Sequence, residues 1–244
     1  MPPLIQFDQS PIRARRRRPR TLFAGRPVVK PAPRVFVIDS AVARYFGAGL
    51  SADEDVVTRW SNAMSQAGLY DLTTVVGAPR LTMVYGRKAA SFPHEDSLQA
   101  VAGAPVRGGL SILCVCHRLE NGRNENVAEV SVGGFWTALR MRENDRLSVY
   151  SAGWLDGPEL TSGLRTFGLV ANGASSVLAV GSERVRVGLP TVANGVAETV
   201  VGNVTPPSKA YGCKSPILDF VLFDRALTDG ELTEAITRLE EFYR

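Results

Sequence analysis

Few side chains in this chain have the type and spacing for covalent chemistry. The nearest approach to a working pair of carboxylates is Glu125-Asn-Val-Ala-Glu129, whose two acids share one face of an expected strand. At a rise of ~3.3 Å per residue they stand ~13 Å apart. Glycosidic hydrolysis needs ~5–5.5 Å for retention or ~6.5–9.5 Å for inversion, and the same-face position between the two acids is Val127. Glu125 and Glu129 therefore read as solvated strand-end residues, and no catalytic residue is expected. The two histidines fare no better. His117 ends a strand and His94 opens a turn, with no Gly-x-Ser-x-Gly elbow or Cys-His signature beside either. His94-Glu-Asp96 carries ligating groups without a ligand-rich loop, so neither a metal nor another cofactor is expected. The three cysteines, Cys114, Cys116 and Cys213, are odd in number, and a Cys-x-Cys without a second pair of ligands does not make structural zinc. They read as buried reduced thiols.

Two tryptophans suit a different chemistry. A pyranose ring lies well over an exposed aromatic face, and Trp154, in the Gly-flanked Ala152-Gly-Trp-Leu-Asp-Gly157, is the first candidate, with Trp136 next. Tyr211 lies in a Pro-rich loop.

The third chemistry is electrostatic. Residues 1–34 hold eight arginines (Arg13, Arg15, Arg16, Arg17, Arg18, Arg20, Arg26, Arg34) and Lys30 against the single acid Asp8. That is a formal +8, so the overall +4 leaves −4 for residues 35–244. Prolines 2, 3, 11, 19, 27, 31 and 33 punctuate the segment and forbid regular pairing. It reads as an extended basic arm. No interleaved aromatic run, RNP motif or helix-turn-helix accompanies the arginines, so no nucleic-acid site is expected. Bidentate contacts from Arg13, Arg15, Arg16, Arg17, Arg18 and Arg20 to acidic side chains, with Leu22 and Phe23 docking beside them, suit a strap on a protein assembly.

The elements that must position these groups are short strands separated by Gly, Pro and Asn turns. Strands are predicted at 35–38, 82–84, 89–92, 110–117, 128–132, 135–142, 147–151, 166–171, 176–180, 184–187, 198–201 and 217–223. Asn121-Gly-Arg-Asn-Glu-Asn126 reads as a hairpin loop, and an acidic first turn followed by Val56, Val57, Trp60 and Met64 predicts a helix over 53–67. Thr228-Asp-Gly-Glu231 is a capping box that starts a C-terminal helix at about Asp229, with Leu232, Ala235, Ile236, Leu239, Phe242 and Tyr243 on one apolar face. No apolar run reaches the ~18 residues of a membrane span, and the N-terminus lacks the apolar stretch of a signal peptide. At 244 residues and 45% hydrophobic, the chain can bury one core.

The run Ser215-Pro-Ile-Leu-Asp-Phe-Val-Leu-Phe223, then Asp224-Arg-Ala-Leu-Thr228 and the terminal helix, resembles the closing segment of concanavalin A-like lectin/glucanase domains of the laminin-G-like kind. Trp60-Ser-Asn, Ala78-Pro79-Arg80 and Gly86-Arg-Lys-Ala-Ala-Ser-Phe92 resemble their opening, which implies that Trp60 faces the core as packing. Arg165 to Gly173 followed by Ser176 to Val187 resembles their central hairpin. The resemblance implies an all-β, antiparallel jelly-roll β-sandwich over residues 35–244, preceded by the arm at 1–34 and closed by a short C-terminal helix. Glucan-cleaving members of that superfamily use Glu-x-Asp-x-x-Glu, which is absent. The resulting expectation is a non-enzyme, an attachment module fastened by its arm to capsid or tail proteins of a phage or phage-like virion, in several copies. A carbohydrate-binding adhesin for a cell-surface glycan is the alternative, and a glycan hydrolase the third reading.

Overall fold

The computed structural model describes residues 41–64, 70–100, 103–204 and 210–244. The expected strand at 35–38, the 34/35 boundary and the arm residues Arg13, Arg15 to Arg18, Arg20, Leu22 and Phe23 lie outside them. The described chain forms eighteen strands and one helix in the order β1 (Ala41–Phe46), β2 (Leu50–Asp53), β3 (Val56–Trp60), β4 (Leu72–Val76), β5 (Arg80–Val84), β6 (Arg87–Ser91), β7 (Ser97–Ala100), β8 (Ala104–Val106), β9 (Leu110–Arg118), β10 (Glu125–Val132), β11 (Phe135–Met141), β12 (Arg146–Tyr150), β13 (Trp154–Glu159), β14 (Gly163–Ala171), β15 (Ser176–Val180), β16 (Glu183–Val187), β17 (Gly195–Val201), β18 (Ile217–Phe223) and α1 (Asp229–Tyr243).

The ladders between these strands are antiparallel and trace two runs. One is β1-β18-β9-β14-β15-β16. The other is β4-β7-β17-β10-β11-β12-β13, with β8 beside β7 on the same edge of β17. The β5–β6 hairpin links the runs through single pairings to β18 and β3. Alternation decides which side chains point inward. Ile112, Cys114, Cys116, Phe167, Leu169, Phe220 and Leu222 from the first run meet Val127, Val130, Leu139, Met141, Leu147, Val149 and Val201 from the second in one core. Each such aliphatic or aromatic side chain contributes ~1.5–3 kcal/mol by its burial. The architecture is the expected all-β antiparallel sandwich with a single C-terminal helix.

β18 is buried at every position, with β1 and β9 on its two edges and a helix meeting it at Leu218 and Asp219. That helix is α1, which buries Leu232, Ala235, Ile236, Leu239 and Tyr243. The Tyr243 hydroxyl donates to the Leu218 carbonyl across 3.2 Å. Thr228 and Glu231 close the capping box as expected. The Arg225 guanidinium and the Thr228 donors hold the Glu231 carboxyl well below the usual carboxylate range, at about 2.

Under the end of α1 lies a charged pair. Arg44 on β1 sends Nε to both oxygens of Asp219 on β18, at 3.2 and 3.1 Å, and both side chains are buried. Burial pushes the Asp219 carboxyl above its ordinary value despite the opposing pull of Arg44.

Two sequence expectations are corrected. The segment expected as a helix over 53–67 is instead the β2–β3 hairpin as far as Trp60, with Glu54 in a left-handed turn at φ 53°. A register shift between Ser51 and Ala52 inserts one extra residue on β3, so Val57 and Trp60, three apart, both turn inward. A bulge thereby reproduces helical spacing. The stretch Asn121 to Asn126 is no hairpin loop, because β9 pairs with β14 and β18 while β10 pairs with β11 and β17. It carries the chain from one sheet to the other. The cysteines are free and buried as expected, with burial raising each thiol.

Candidate functional site

Register places the chemistry on the outer face of the second sheet. Along β11, Phe135, Leu139 and Met141 enter the core, so Trp136 and Arg140 point the other way. Cross-strand pairing then sets Tyr150 beside Trp154, Asn126 beside Arg140, and Ser148 beside Asp156. The rings make a connected row. Trp136 meets Tyr150 edge-on at 5.2 Å between centroids, and Tyr150 meets Trp154 edge-on at 5.2 Å. Edge-to-face contacts of this kind add ~0.5–1.5 kcal/mol beyond burial and stiffen the row.

Arg140 continues it. Its guanidinium carbon lies 4.1 Å from the Trp154 ring centre and 4.2 Å from that of Tyr211. Its Nε donates to Asn126 Oδ1 at 2.7 Å. Tyr211 belongs to neither sheet. It is brought in by a bridge between Gly212 and Asn126, where the Asn126 amide donates to the Tyr211 carbonyl at 2.7 Å. At the end of the row Asp156 accepts from Ser148 Oγ, Asn144 Nδ2 and Arg142, whose bonds hold its carboxyl below the usual range against a burial penalty.

Glu125 holds this arrangement from below. It is buried, and its Oε1 accepts from the backbone amides of Lys214 at 3.0 Å and Ser215 at 3.1 Å, while its Oε2 accepts from the Ser215 hydroxyl. Burial pushes its carboxyl up, opposed by these bonds and by Arg118. Glu129 is buried too, paired across to Val200 and Ala138. The expectation of two solvated strand-end acids is therefore wrong for both. Glu129 sits where β10 is the central strand of its sheet, between β17 and β11, and Glu125 opens β10 with its carboxylate covered by the Lys214–Ser215 segment.

The structure places the sequence candidates as follows. Trp136 is 38% exposed, enough to receive a ring face. Trp154 does not sit in a turn. It opens β13 and is half-buried, with Arg140 over its ring. Trp60 is packing, as expected, with its indole N–H donating to the Phe46 carbonyl at 2.9 Å. Sequence reasoning passed over Asn126, Arg140 and Tyr150. The alternation of β11 carries Arg140's signal, since it shares a face with Trp136, whereas Tyr211 arrives through a bridge that no local pattern announces.

Away from the aromatic row, α1 and the β15–β16 turn border an open groove of about 670 Å³ lined by Glu159, Arg165, Glu183, Glu240 and Arg244. Its one aromatic, Tyr243, has its hydroxyl committed to Leu218 and Asp219, so the groove offers no platform comparable to the sheet face. Among the described residues, no three His, Cys, Asp or Glu side chains cluster to hold a metal ion. No helix among them is long and apolar enough to cross a membrane.

No protein-family model matches the chain, and no curated sequence matches it significantly. Solved structures share its fold. Domain 4 of AbnA, a GH43 extracellular arabinanase from Geobacillus stearothermophilus, solved with arabinotriose, superposes with a TM-score of 0.61 at 15% identity, over 81% of this chain and 98% of that one. The sialidase of Trypanosoma rangeli, in complex with 2,3-difluorosialic acid, superposes with a TM-score of 0.56 at 11% identity, over 88% of this chain. A mutant of that sialidase displaying trans-sialidase activity gives 0.58 at 12% identity, over 83% of this chain and 33% of that one. This chain thus spans about a third of the sialidases, 36% of the first of them, and nearly the whole of the arabinanase domain. The expectation of a non-enzyme is overturned by these neighbours: the fold occurs within glycan-cleaving proteins, so a missing Glu-x-Asp-x-x-Glu motif does not exclude an enzyme. What the neighbours share with this chain is the β-sandwich fold.

Proposed function

We propose that the outer face of the second sheet binds carbohydrate, with Trp136 as the exposed platform and Tyr150, Trp154, Arg140 and Tyr211 as the wall that orients it. The observation that carries this reading is the connected ring row Trp136–Tyr150–Trp154 ending on a stacked guanidinium. Sugars present apolar C–H faces and a rim of hydroxyls, and this surface offers ring faces beside fixed polar groups. The neighbours with bound sugar ligands support it.

Titration of the protein against a panel of neutral and acidic oligosaccharides should find a ligand. Trp136→Ala should weaken that ligand by at least about tenfold, as expected for a central aromatic anchor, and lower stability by only about 1 kcal/mol, the worth of its edge-on contact with Tyr150. Chromatography of the incubated ligand extends the reading to hydrolysis if shorter sugars appear. Absence of binding across the panel would overturn it.

The arm supports a second reading, attachment to an assembly such as a phage or phage-like particle. Its support is the +8 confined to residues 1–34, and the structural neighbours add nothing to it. Removing those residues should leave cooperative unfolding intact, because the core elements follow them, while binding to an acidic protein partner is lost. Tight binding of the isolated arm to unrelated DNA duplexes, with a steep salt dependence, would replace the strap by a phosphate-binding tail.

A further inference from the structure

Arg140 is built as a fixed cation with no ion-pair partner among the described residues. Three neighbours settle its position: Asn126 takes Nε, and the Trp154 and Tyr211 rings lie 4.1 and 4.2 Å from Cζ. These contacts cover the faces of the planar group and use one of its five donors. Among the described residues, no carboxylate comes within ion-pair distance of it, and neither terminal nitrogen donates to a protein acceptor. The contrast with its neighbour is sharp. Arg142, on the same side, is paired with Asp156 at 3.0 Å. Burial disfavours the charge of Arg140 and Arg142 repels it, with Tyr211 and the more distant Glu143 opposing them only in part.

A second, independent observation lies beside it. Asn126 is fully buried, and its Nδ2 has no hydrogen-bond partner. An unmet buried donor is costly, and this one adds positive partial charge without an acceptor next to the guanidinium. Two groups with unmet donors at one end of a ring row call for an acceptor that the described residues do not supply.

We propose that this end of the face recognises the carboxylate of an acidic sugar, with the terminal N–H edge of Arg140 forming a bidentate pair with it while the sugar ring extends toward Trp136. The inference rests on the carbohydrate-binding reading and narrows it to a ligand class. A planar fork matches a planar carboxylate, and such charge-assisted pairs are roughly twice as strong as neutral hydrogen bonds. Neutral sugars would leave the cation uncompensated.

The test compares oligogalacturonides, oligoglucuronides and sialylated oligosaccharides with their methyl esters and with neutral oligosaccharides of equal length, by titration calorimetry. Binding should be confined to acid members and fall at least about tenfold on esterification. The substitution Asn126→Asp is nearly isosteric, keeps an acceptor for Nε and supplies Arg140 with an internal counter-ion. It should fold and lose about tenfold or more for the acid ligand. Arg140→Gln should abolish the preference for acid over ester. Equal binding of acid, ester and neutral sugars, all weakened by Trp136→Ala, would overturn the carboxylate site and leave the carbohydrate-binding reading standing. Binding of none of them would overturn both.

Discussion

Replacing Arg44 with methionine should cost about 3–5 kcal/mol of stability at neutral pH, because it strands Asp219 as an uncompensated buried charge. In a chain of this size that corresponds to a fall of roughly 10 °C in Tm. The position itself is not intolerant, since the methionine stem fills most of the arginine's path. The loss should depend on pH in one direction. Asp219 already has a carboxyl raised by burial, and removing the guanidinium raises it further. A carboxyl whose folded value exceeds its unfolded one contributes most when protonated, and that contribution disappears as pH rises through the folded value. The variant should therefore approach the parent near pH 4, fall behind it as pH rises from the parent's Asp219 value to the variant's higher one, and keep a constant gap beyond. Pairing Arg44→Met with Asp219→Asn should recover much of the loss at neutral pH, measured by denaturant unfolding of all four members of the cycle. A loss independent of pH and unrelieved by Asp219→Asn would show that packing, and not the stranded charge, dominates.

The second large effect is expected at Glu125. Truncation to alanine leaves the amides of Lys214 and Ser215 and the Ser215 hydroxyl without their acceptor, at ~1–3 kcal/mol for each group that stays dry. The same segment carries Tyr211 onto the sheet face, so Glu125→Ala should weaken ligand binding as well as the fold. Glu125→Gln separates the two effects. It keeps an oxygen for the amides, so binding should survive, and it removes the charge that burial disfavours. Because the parent carboxyl is raised, the parent's stability falls as pH climbs from about 4.3 through the folded value. The glutamine variant should gain on the parent over that window and run parallel to it beyond. Differential scanning calorimetry between pH 4 and 8 reads both curves.

How far the sequence announced all this depends on whether a side chain's partner is local. β9, β11 and β18 show plain alternation or a buried run, and the Thr228 to Glu231 box is complete within four residues, so each was legible. β13 was hidden because Gly157 and Pro158 interrupt it, and proline is tolerated there on the edge of the sheet. β3 was misread for a reason already physical, the bulge that sets Val57 and Trp60 inward at helical spacing. Trp136 was found from its type alone. Arg140 needed the phase of β11, Asn126 needed the β10–β11 register, and Tyr211 needed a bridge spanning eighty-odd residues of sequence. Glu125 looked solvated because the stretch before it resembles a hairpin loop, when it crosses between the two sheets and delivers the acid into the seam.

The placement of β18 has a consequence for biosynthesis. The first described strand, β1, takes its place in the sheet only against β18, and Arg44 and Asp219 are 175 residues apart. β9 likewise waits for β18 on one of its edges. While the ribosome is still adding the segment before Ile217, β1 has no lateral neighbour and β9 presents a row of free amides and carbonyls, which is the exposure that invites aggregation. Contacts of such long sequence separation also make folding slow. The sandwich is consequently a structure that forms after its last strand is synthesised, and a nascent chain stalled short of that strand is a client for chaperones.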